Sequence, residues 1–327
     1  MALHYRMLTE NDLPALQKLW MEETDWGKLT AQMWQRYVVD APMGGVAGAV
    51  AEEDGRIVGQ FAFVPSLVTV NGREYRAFRM AAPIVAKTLR FVSPNPLAHP
   101  VVAMYLHTAK ELGARGDGLI YSVPDRRWVR FLKMFPRLQG GKFPLWRIDL
   151  PLAEEWTMPE GFTAAPLASL DDPRVDRLWK TWSRFHPCSV VRDSRSLPWK
   201  IGGGEYEILG IERTIERGGE LAGLVASRQK GDRQWLICDV MAADADDSLR
   251  ATVIGVVNLA NRRALEAEPS KPIRKAAILA TPVLEPALRS LGFVRDDYDF
   301  PVIVHILNPD ISKDDVAPER WYVSAND

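Results

Sequence analysis

Apolar residues recur every three or four positions in several stretches of the first half of the chain, a spacing typical of amphipathic helices. This spacing predicts helices over residues 13–20, 28–39, 99–112 and 128–135. Runs rich in β-branched and aromatic residues predict strands over residues 5–8, 46–52, 57–70, 74–92 and 118–123. The first half is therefore expected to mix strands with helices.

Two dipeptides mark tight turns between the predicted strands. Asp54-Gly55 and Asn71-Gly72 consist of residues that tolerate positive φ, so a hairpin turn at either place causes little strain. They predict a meander over residues 46–92. Gly113 is expected to stop the helix that begins at residue 99.

The second half of the chain repeats the predicted order of elements. Beyond a proline-rich linker at residues 151–166, strands are predicted at 162–165, 206–216, 221–228, 234–241 and 276–280, and helices at 175–185, 249–266 and 284–291. Because the order of elements recurs, the second half is interpreted as a diverged repeat of the first. We predict an N-terminal domain over residues 1–150 and a C-terminal domain over residues 151–327.

Composition and charge exclude several classes of protein. The 327 residues are 47% apolar and 25% charged, which is typical of a globular protein long enough for two hydrophobic cores. Because 41 Lys and Arg residues face 42 Asp and Glu residues, no net positive field favours a nucleic-acid or membrane partner. The sequence shows no signal peptide, no run of about 18 apolar residues and only two cysteines, which predicts a cytoplasmic protein.

The polar residues include no strong metal-binding or cofactor motif. The five histidines contain no His-x-x-x-His pair, and two cysteines are too few for a thiolate metal site, so no metal is expected. The glycines of residues 113–118 match a dinucleotide-binding pattern, but they follow a predicted helix, which favours a connecting turn. Asp239, Asp244, Asp246 and Asp247 lack the spacing of a calcium loop and are interpreted as loop and helix-start carboxylates.

Residues 126–148 form a basic segment with seven Lys and Arg residues and no acidic residue. Aromatic side chains lie between the basic ones. Such a segment can hold the phosphates of a nucleotide-like cofactor or an acidic partner. A solvated outer helix face would have the same pattern, because basic side chains normally project outward. Both interpretations stay open at this point.

Four short segments carry a family resemblance. Leu119-Ile-Tyr-Ser-Val-Pro-Asp125, followed by Trp128, Phe131 and Phe135, is one, and residues 276–282 with Leu288-Arg-Ser-Leu-Gly-Phe293 form its counterpart in the second half. Val191-Arg-Asp193 and Leu197-Pro-Trp-Lys200 are the others. Together they resemble the GNAT superfamily of acyl-CoA-dependent N-acyltransferases in its tandem two-domain form.

The resemblance implies an α/β (α+β) fold with two tandem GNAT-like domains, each a mixed, mostly antiparallel sheet flanked by helices. It implies that strand 4, at residues 88–92, and its parallel partner, at 119–123, splay apart and leave backbone groups free for the pantetheine of acetyl-CoA or another acyl-CoA. The implied cofactor contacts are Leu89, Phe91, Val92, Asn95, His99, Val101, Asp125 and Arg126.

Catalytic groups are implied in the first domain. Tyr121 and Ser122 would project from the open strand toward the thioester, with Tyr121 as the proton donor. A carboxylate must deprotonate the amine, because an ammonium cannot attack a thioester. Glu22, Glu23, Asp25 and Glu52 are available for this, and Glu23 is the one assigned.

The sequence departs from the family at two places. Residues 92–100 stand where the family has a glycine-rich loop, and Pro96 and Pro100 remove backbone N–H donors there. Leu132 and Leu288 stand where many members have a catalytic tyrosine.

The function implied by the resemblance is acyl transfer, most simply acetyl transfer, from acyl-CoA to the amine of a small molecule by the first domain. The two departures support a different interpretation, in which a catalytically degenerate GNAT fold binds a ligand or partner. The basic segment supports a third, binding of an acidic macromolecule. No nucleic-acid or membrane partner is expected, and the oligomeric state is left open.

Overall fold

The computed structural model describes residues 3–90, 95, 98–124, 138–215, 218–231 and 233–327. The chain forms two compact units, and each unit combines two stretches of sequence. Unit 1 comprises Met1–Gly140 and Val302–Val316, and unit 2 comprises Gly141–Pro301 and Ala317–Asp327. The division into domains at residue 150 stays a prediction.

The described residues contain strands and α-helices throughout. The strands are β1 (His4–Met7), β2 (Ala47–Glu53), β3 (Arg56–Val70), β4 (Arg73–Val85), β5 (Leu119–Ser122), β6 (Leu138–Asp149), β7 (Phe162–Pro166), β8 (Cys188–Val190), β9 (Glu207–Ile215), β10 (Gly218–Lys230), β11 (Gln234–Ala242), β12 (Lys275–Leu279), β13 (Val294–Ile306) and β14 (Trp321–Tyr322). The α-helices are α1 (Leu13–Glu23), α2 (Ala31–Trp34), α3 (Pro100–Ala114), α4 (Pro173–Trp182), α5 (Ser196–Ile201), α6 (Asp247–Glu266) and α7 (Glu285–Ser290).

Unit 1 is built on a mixed sheet in the order β1-β2-β3-β4-β5, followed by residues 303–306 of β13. Every neighbouring pair is antiparallel except β4 and β5, which run parallel. Helix α3 covers one face, where its buried side chains pack with aromatic and aliphatic residues of the strands, among them Phe61, Phe63, Phe78 and Ile120. The fold-class prediction of a mixed, mostly antiparallel sheet flanked by helices is confirmed.

The two predicted turns form as the sequence indicated. Asp54 and Gly55 have φ values of 49° and 74°, and Asn71 and Gly72 have values of 50° and 79°. Both residues of each dipeptide therefore adopt the left-handed conformation that a tight hairpin of this type requires. The β2-β3-β4 meander follows from these turns.

Gly116 and Gly118 lie in the connection between helix α3 and strand β5, as predicted. Gly113 is still helical, however, so the prediction that it stops the helix was wrong. The helix ends at Ala114, and Gly116 takes the left-handed conformation, with φ of 79°. The glycine that terminates the helix is therefore Gly116, three residues after the predicted one, because its position needs positive φ.

The position predicted for strand 4 was wrong. Strand β4 ends at Val85, and Lys87–Leu89 form a single 3-10 turn. The backbone N–H of Lys87 donates to Glu23 Oε2 at 2.8 Å, and that of Leu89 donates to the carbonyl of Ala86 at 2.8 Å. Because these donors already have acceptors, they cannot continue a strand. The predicted helix over residues 128–135 lies outside the described residues.

Unit 2 has a sheet in the order β12-β11-β10-β9-β7, and residues 145–149 of β6 extend it beside β12. Strands β11 and β12 are parallel, and the other neighbours are antiparallel. Strands β8 and β14 form a short parallel pair. The predicted strands and helices between residues 162 and 291 all form, with ends shifted by a few residues.

Each unit takes one strand from the other half of the sequence. Residues 145–149, which follow β5 in the chain, pair with β12 in unit 2. Residues 303–306, which follow β12, pair with β5 in unit 1. Strands β6 and β13 are absent from the sequence-based prediction. The two halves of the chain thus exchange equivalent strands.

Apart from β8, β14 and α7, which have no counterpart among the described residues of unit 1, the remaining elements follow the same order in both units. This order is a strand, two helices, a three-stranded meander, a helix, and a strand parallel to the last of the meander. No helix among the described residues is long and apolar enough to cross a bilayer.

Candidate functional site

The parallel strands of unit 1 pair over only part of their length. The ladder joins Ala77–Arg79 of β4 to Leu119–Tyr121 of β5. Strand β4 then continues for six residues, and within the described part of unit 1 these pair with β3 alone. The open side of β4 beyond Arg79 is the candidate site. The prediction that the two parallel strands diverge is supported. They stop pairing after Arg79 rather than at residues 88–92.

An irregularity in β4 lies three residues beyond the end of this ladder. Ala82 is an extra residue between the pairs Ala62–Ala81 and Phe61–Pro83, and its φ is 46°. A bulge re-aims the backbone groups that follow it. The side-chain amide of Gln60 donates to the Ala82 carbonyl at 3.3 Å, while its Oε1 is buried and has no hydrogen-bond partner among the described residues. An orphaned acceptor of this kind is rare in a folded protein and indicates a place where a donor is expected.

Tyr121 and Ser122 lie at the end of β5, as predicted. The Tyr121 side chain is 3% exposed, and its hydroxyl lies 3.2 Å from Ser66 Oγ. Ser122 is also buried and pairs with Ile303 in the adjacent strand. The structure thus places a hydrogen-bonded phenol where the parallel ladder ends.

Glu23 lies at the end of α1, beside the end of β4. Its carboxylate accepts hydrogen bonds from the backbone of Lys87 and from the Arg90 guanidinium, at 2.8 and 3.3 Å. Arg90 also donates to the Glu23 carbonyl at 2.7 Å. Of the predicted residues, Glu23 thus lies beside the segment from Lys87 to Arg90, which contains Leu89.

The start of α3 does not offer a set of open donors. The backbone N–H of Val101 donates to His99 Nδ1 at 3.3 Å, and those of Val102 and Ala103 donate to the His99 carbonyl. Pro100 has no N–H. The carbonyl of Asn95 accepts a hydrogen bond from the N–H of Ala98. A phosphate bound here would have to displace the His99 side chain.

The residues that sequence reasoning missed are Gln60, Lys87 and Arg90. Lys87 and Arg90 are the only Lys or Arg residues between β4 and α3, a signal visible in the sequence. Gln60 gave no such signal, because a single polar residue within a strand is ordinary. The predicted cofactor contacts Phe91, Val92, Asp125 and Arg126 lie outside the described residues.

The acidic run of the second half is held by ion pairs and a helix start. Asp239 bonds Arg192 at 2.7 Å, and Asp244 bonds Arg213 and the N–H of Ser248 at 2.6 and 2.9 Å. Across the described ranges, no three His, Cys, Asp or Glu side chains are grouped so that they could hold a metal ion.

The basic segment is described only from residue 138 onward. In that part, Arg147 forms an ion pair with Asp149 at 2.8 Å and lies 3.7 Å from Asp296. Binding of an acidic macromolecule by this segment stays a prediction.

His186 in unit 2 is buried against two aromatic rings, with ring centres 4.6 Å from both Trp182 and Tyr322. Its Nε2 is buried, and no residue in the described part of the chain forms a hydrogen bond with it. Burial, and to a lesser extent the charge of Arg192, lowers the pKa of His186 from 6.5 to about 3. Below pH 6.5 the unfolded chain therefore binds a proton that the folded chain does not.

We expect unit 2 to lose stability as the pH falls from 6.5 toward 3, because His186 disfavours its charged form when folded. One such group contributes up to about 1.4 kcal/mol per pH unit. Urea unfolding at pH 7 and pH 5 measures the loss in free energy of unfolding between these two pH values. This loss should be smaller by about 2 kcal/mol in His186→Phe than in the wild type. His107→Phe is the control and should lose as much as the wild type. An equal loss in His186→Phe would contradict the assignment.

Three solved structures are similar to this chain in fold. A GCN5-related N-acetyltransferase from Anabaena variabilis ATCC 29413 is 12% identical, with a TM-score of 0.67 over 94% of this chain and 73% of that chain. The same values hold for a protein of unknown function from Enterococcus faecalis V583, described as a probable N-acyltransferase. A GCN5-related N-acetyltransferase from Kribbella flavida is 12% identical, with a TM-score of 0.62 over 93% of this chain and 70% of that chain.

At this identity, the likeness concerns the fold alone. No protein-family model matches the sequence, and no curated protein matches it.

Proposed function

Because the chain has the fold of the GCN5-related N-acetyltransferases, we propose that it is an acyl-CoA-dependent N-acyltransferase. The proposed reaction transfers an acyl group, such as acetyl, to the amine of a small molecule. Unit 1 is the proposed active unit, and unit 2, its diverged tandem repeat, is the supporting one. A cytoplasmic location stays a prediction.

The observation that carries this proposal is the open side of β4 beyond Arg79, with its bulge at Ala82. The pantetheine of coenzyme A is an extended chain with amide groups, and it can pair with a strand edge as another strand would. The orphaned Gln60 Oε1 adds an unsatisfied acceptor next to the bulge. These features fit an acyl-CoA thioester at this edge.

The proposed acceptor side is the end of α1. Glu23 is held by Lys87 and Arg90 beside the end of β4. Trp26, which is 57% exposed and packs edge-on against Trp20, lies three residues further along the chain. A carboxylate and an exposed indole suit a cationic amine, because both attract positive charge. We infer an amine with an apolar body.

The proposed chemistry uses a carboxylate and a phenol at fixed positions. Acyl-CoA supplies an electrophilic thioester carbonyl when bound. Glu23 would take a proton from the acceptor ammonium, directly or through water, so that the free amine can attack. The Tyr121 hydroxyl, with Ser122 beside it, would give its proton to the leaving thiolate and regain one from the nitrogen that becomes the amide. Contacts of Phe91, Val92, Asp125 and Arg126 to the cofactor remain part of this proposal.

We expect acetyl-CoA to bind and, with a panel of small amines, to be consumed with release of free CoA. Tyr121→Phe should lower kcat by about 100-fold, the usual effect of losing a general acid, while changing the affinity for acetyl-CoA less than twofold. Calorimetry measures the binding and thiol release measures the rate. Tyr75→Phe, a tyrosine outside the candidate site, is the control. If no binding is detected at millimolar acetyl-CoA, the proposed function is wrong.

A catalytically degenerate fold that binds a ligand is the second candidate. It is favoured by the start of α3, where His99 already takes the Val101 N–H and Pro100 has none. Binding of CoA without turnover of any amine, unchanged by Tyr121→Phe, would favour this candidate over the enzyme.

A further inference from the structure

Unit 2 contains its own pair of parallel strands with a short ladder. Gln234–Ile237 of β11 pair with Lys275–Ile278 of β12, and β11 then runs on to Ala242. Cys238 is an extra residue between the pairs Ser227–Ile237 and Ala226–Asp239. Strand β11 therefore has a bulge just beyond the ladder, like β4 of unit 1.

The open side of β11 is occupied by a side chain from residues 321–327, here called the terminal segment. The hydroxyl of Tyr322 accepts a hydrogen bond from the N–H of Val240 at 3.0 Å and donates one to the Val240 carbonyl at 2.5 Å. Val240 lies three residues beyond the last ladder pair and is opposite Val225 on the other side. One hydroxyl thus satisfies both backbone groups that a neighbouring strand or ligand would otherwise meet.

The terminal segment is anchored at both ends. Trp321 and Tyr322 form the β14 ladder with Cys188 and Ser189 of β8. At the other end, the Asp327 carboxylate bonds Arg192 at 2.5 Å and also bonds Lys200. Trp321, Tyr322, Val323, Ser324 and Asp327 are all buried.

The charges around the terminal segment balance only when it is present. Arg192 and Lys200 are two buried cations, and Asp239 supplies one anion from β11. Asp327 supplies the second anion. A buried cation without a partner is strongly unfavourable, so the site requires an anionic occupant, and the terminal segment provides it.

We propose that the terminal segment is an internal ligand of unit 2, which binds the open side of β11 through Tyr322 and Asp327 and closes it to other ligands. Resting on the proposed function, the inference means that the chain binds one acyl-CoA, at unit 1. The open side of β11 has the geometry of a ligand-binding site, and residues of the same chain occupy it.

The two cysteines of the chain lie where their reactivity depends on whether the terminal segment occupies the open side of β11. Cys188 pairs with Trp321, and Cys238 is the bulge residue two positions before Val240. Both are buried and neither forms a disulfide. Burial raises the pKa of the Cys238 thiol to about 11, so it is poorly reactive in the folded chain.

We expect Tyr322→Phe and Asp327→Asn to increase the rate of Cys238 alkylation at pH 8 at least tenfold, read by mass spectrometry. Tyr298→Phe, a tyrosine outside the terminal segment, is the control and should leave the rate unchanged. Circular dichroism checks that each variant is folded. Wild-type rates in both folded variants would overturn the proposal. If neither variant folds, hydrogen exchange of the Val240 amide in the wild-type protein decides: strong protection supports the proposal, and exchange at solvent rates overturns it.

Calorimetry with acetyl-CoA tests the other consequence. One molecule bound per wild-type chain is expected, and two per chain would overturn the closure of unit 2. The absence of any binding would remove the proposed function. The alkylation and exchange results would still decide whether the terminal segment occupies β11.

Discussion

Arg192→Met is expected to lower the free energy of unfolding by about 3 to 5 kcal/mol, the cost of breaking a buried ion pair by removing one partner. The Arg192 side chain is fully buried and bonds Asp239, Asp327 and the carbonyl of Val190. Its guanidinium carbon also lies 4.4 Å from the centre of the Tyr322 ring. Methionine fills similar space without the charge, so two carboxylates are left with Lys200 alone.

Urea unfolding followed by tryptophan fluorescence measures this loss. Arg295→Met is a matched control, because Arg295 is exposed and bonds only Asp299 among the interactions described. It should unfold at nearly the wild-type midpoint. Adding Asp239→Asn to Arg192→Met should recover part of the loss, since the one remaining carboxylate, Asp327, is then balanced by Lys200. A wild-type midpoint for Arg192→Met alone would refute the role given to this cluster.

Residues 1–150 expressed alone are expected not to fold cooperatively. This fragment lacks residues 302–316, which belong to unit 1 and bury seven apolar side chains there: Val302, Ile303, Val304, Ile306, Leu307, Ile311 and Val316. Burying each contributes about 1.5 to 3 kcal/mol. The total is comparable with the whole stability of an ordinary domain, about 5 to 15 kcal/mol.

Thermal unfolding monitored by circular dichroism tests this expectation. The matched control is a chain of residues 1–140 joined by a flexible Gly/Ser linker to residues 302–316, which contains all of unit 1. The control should unfold in one cooperative transition and the 1–150 fragment should not. A cooperative transition of the fragment alone would show that a domain ends at residue 150, as the sequence predicts.

Local signals in the sequence predicted most of the fold. Asn71-Gly72 and Asp54-Gly55 fixed two hairpins because each turn depends on its own two residues. Strands β6 and β13 were missed for the opposite reason. Their partners, β12 and β5, lie more than 120 residues away in the chain, and no local pattern encodes such a pairing. Gly140, Gly141 and Pro144 within β6 also weaken its strand signal.

The candidate site was predicted in part. The sequence placed Tyr121 and Ser122 on the strand that ends at the site, because the apolar run before Pro124 is a local signal. It placed the open side of β4 at residues 88–92, which is too far along the chain. The strand ends earlier because Lys87 and Arg90 donate hydrogen bonds to Glu23, and contacts between such distant residues leave no local signal in the sequence. The bond from Tyr322 to Val240 joins residues 82 positions apart and was likewise invisible.

The exchanged strands have a consequence for biosynthesis. On the ribosome, β5 emerges long before residues 303–306 are made, although these residues cover its edge in unit 1. At roughly 5 to 20 residues per second, the edge waits about 10 to 40 s for its partner. An uncovered edge is a template for pairing with other chains. The nascent protein therefore carries an added risk of aggregation until residues 303–306 have been made.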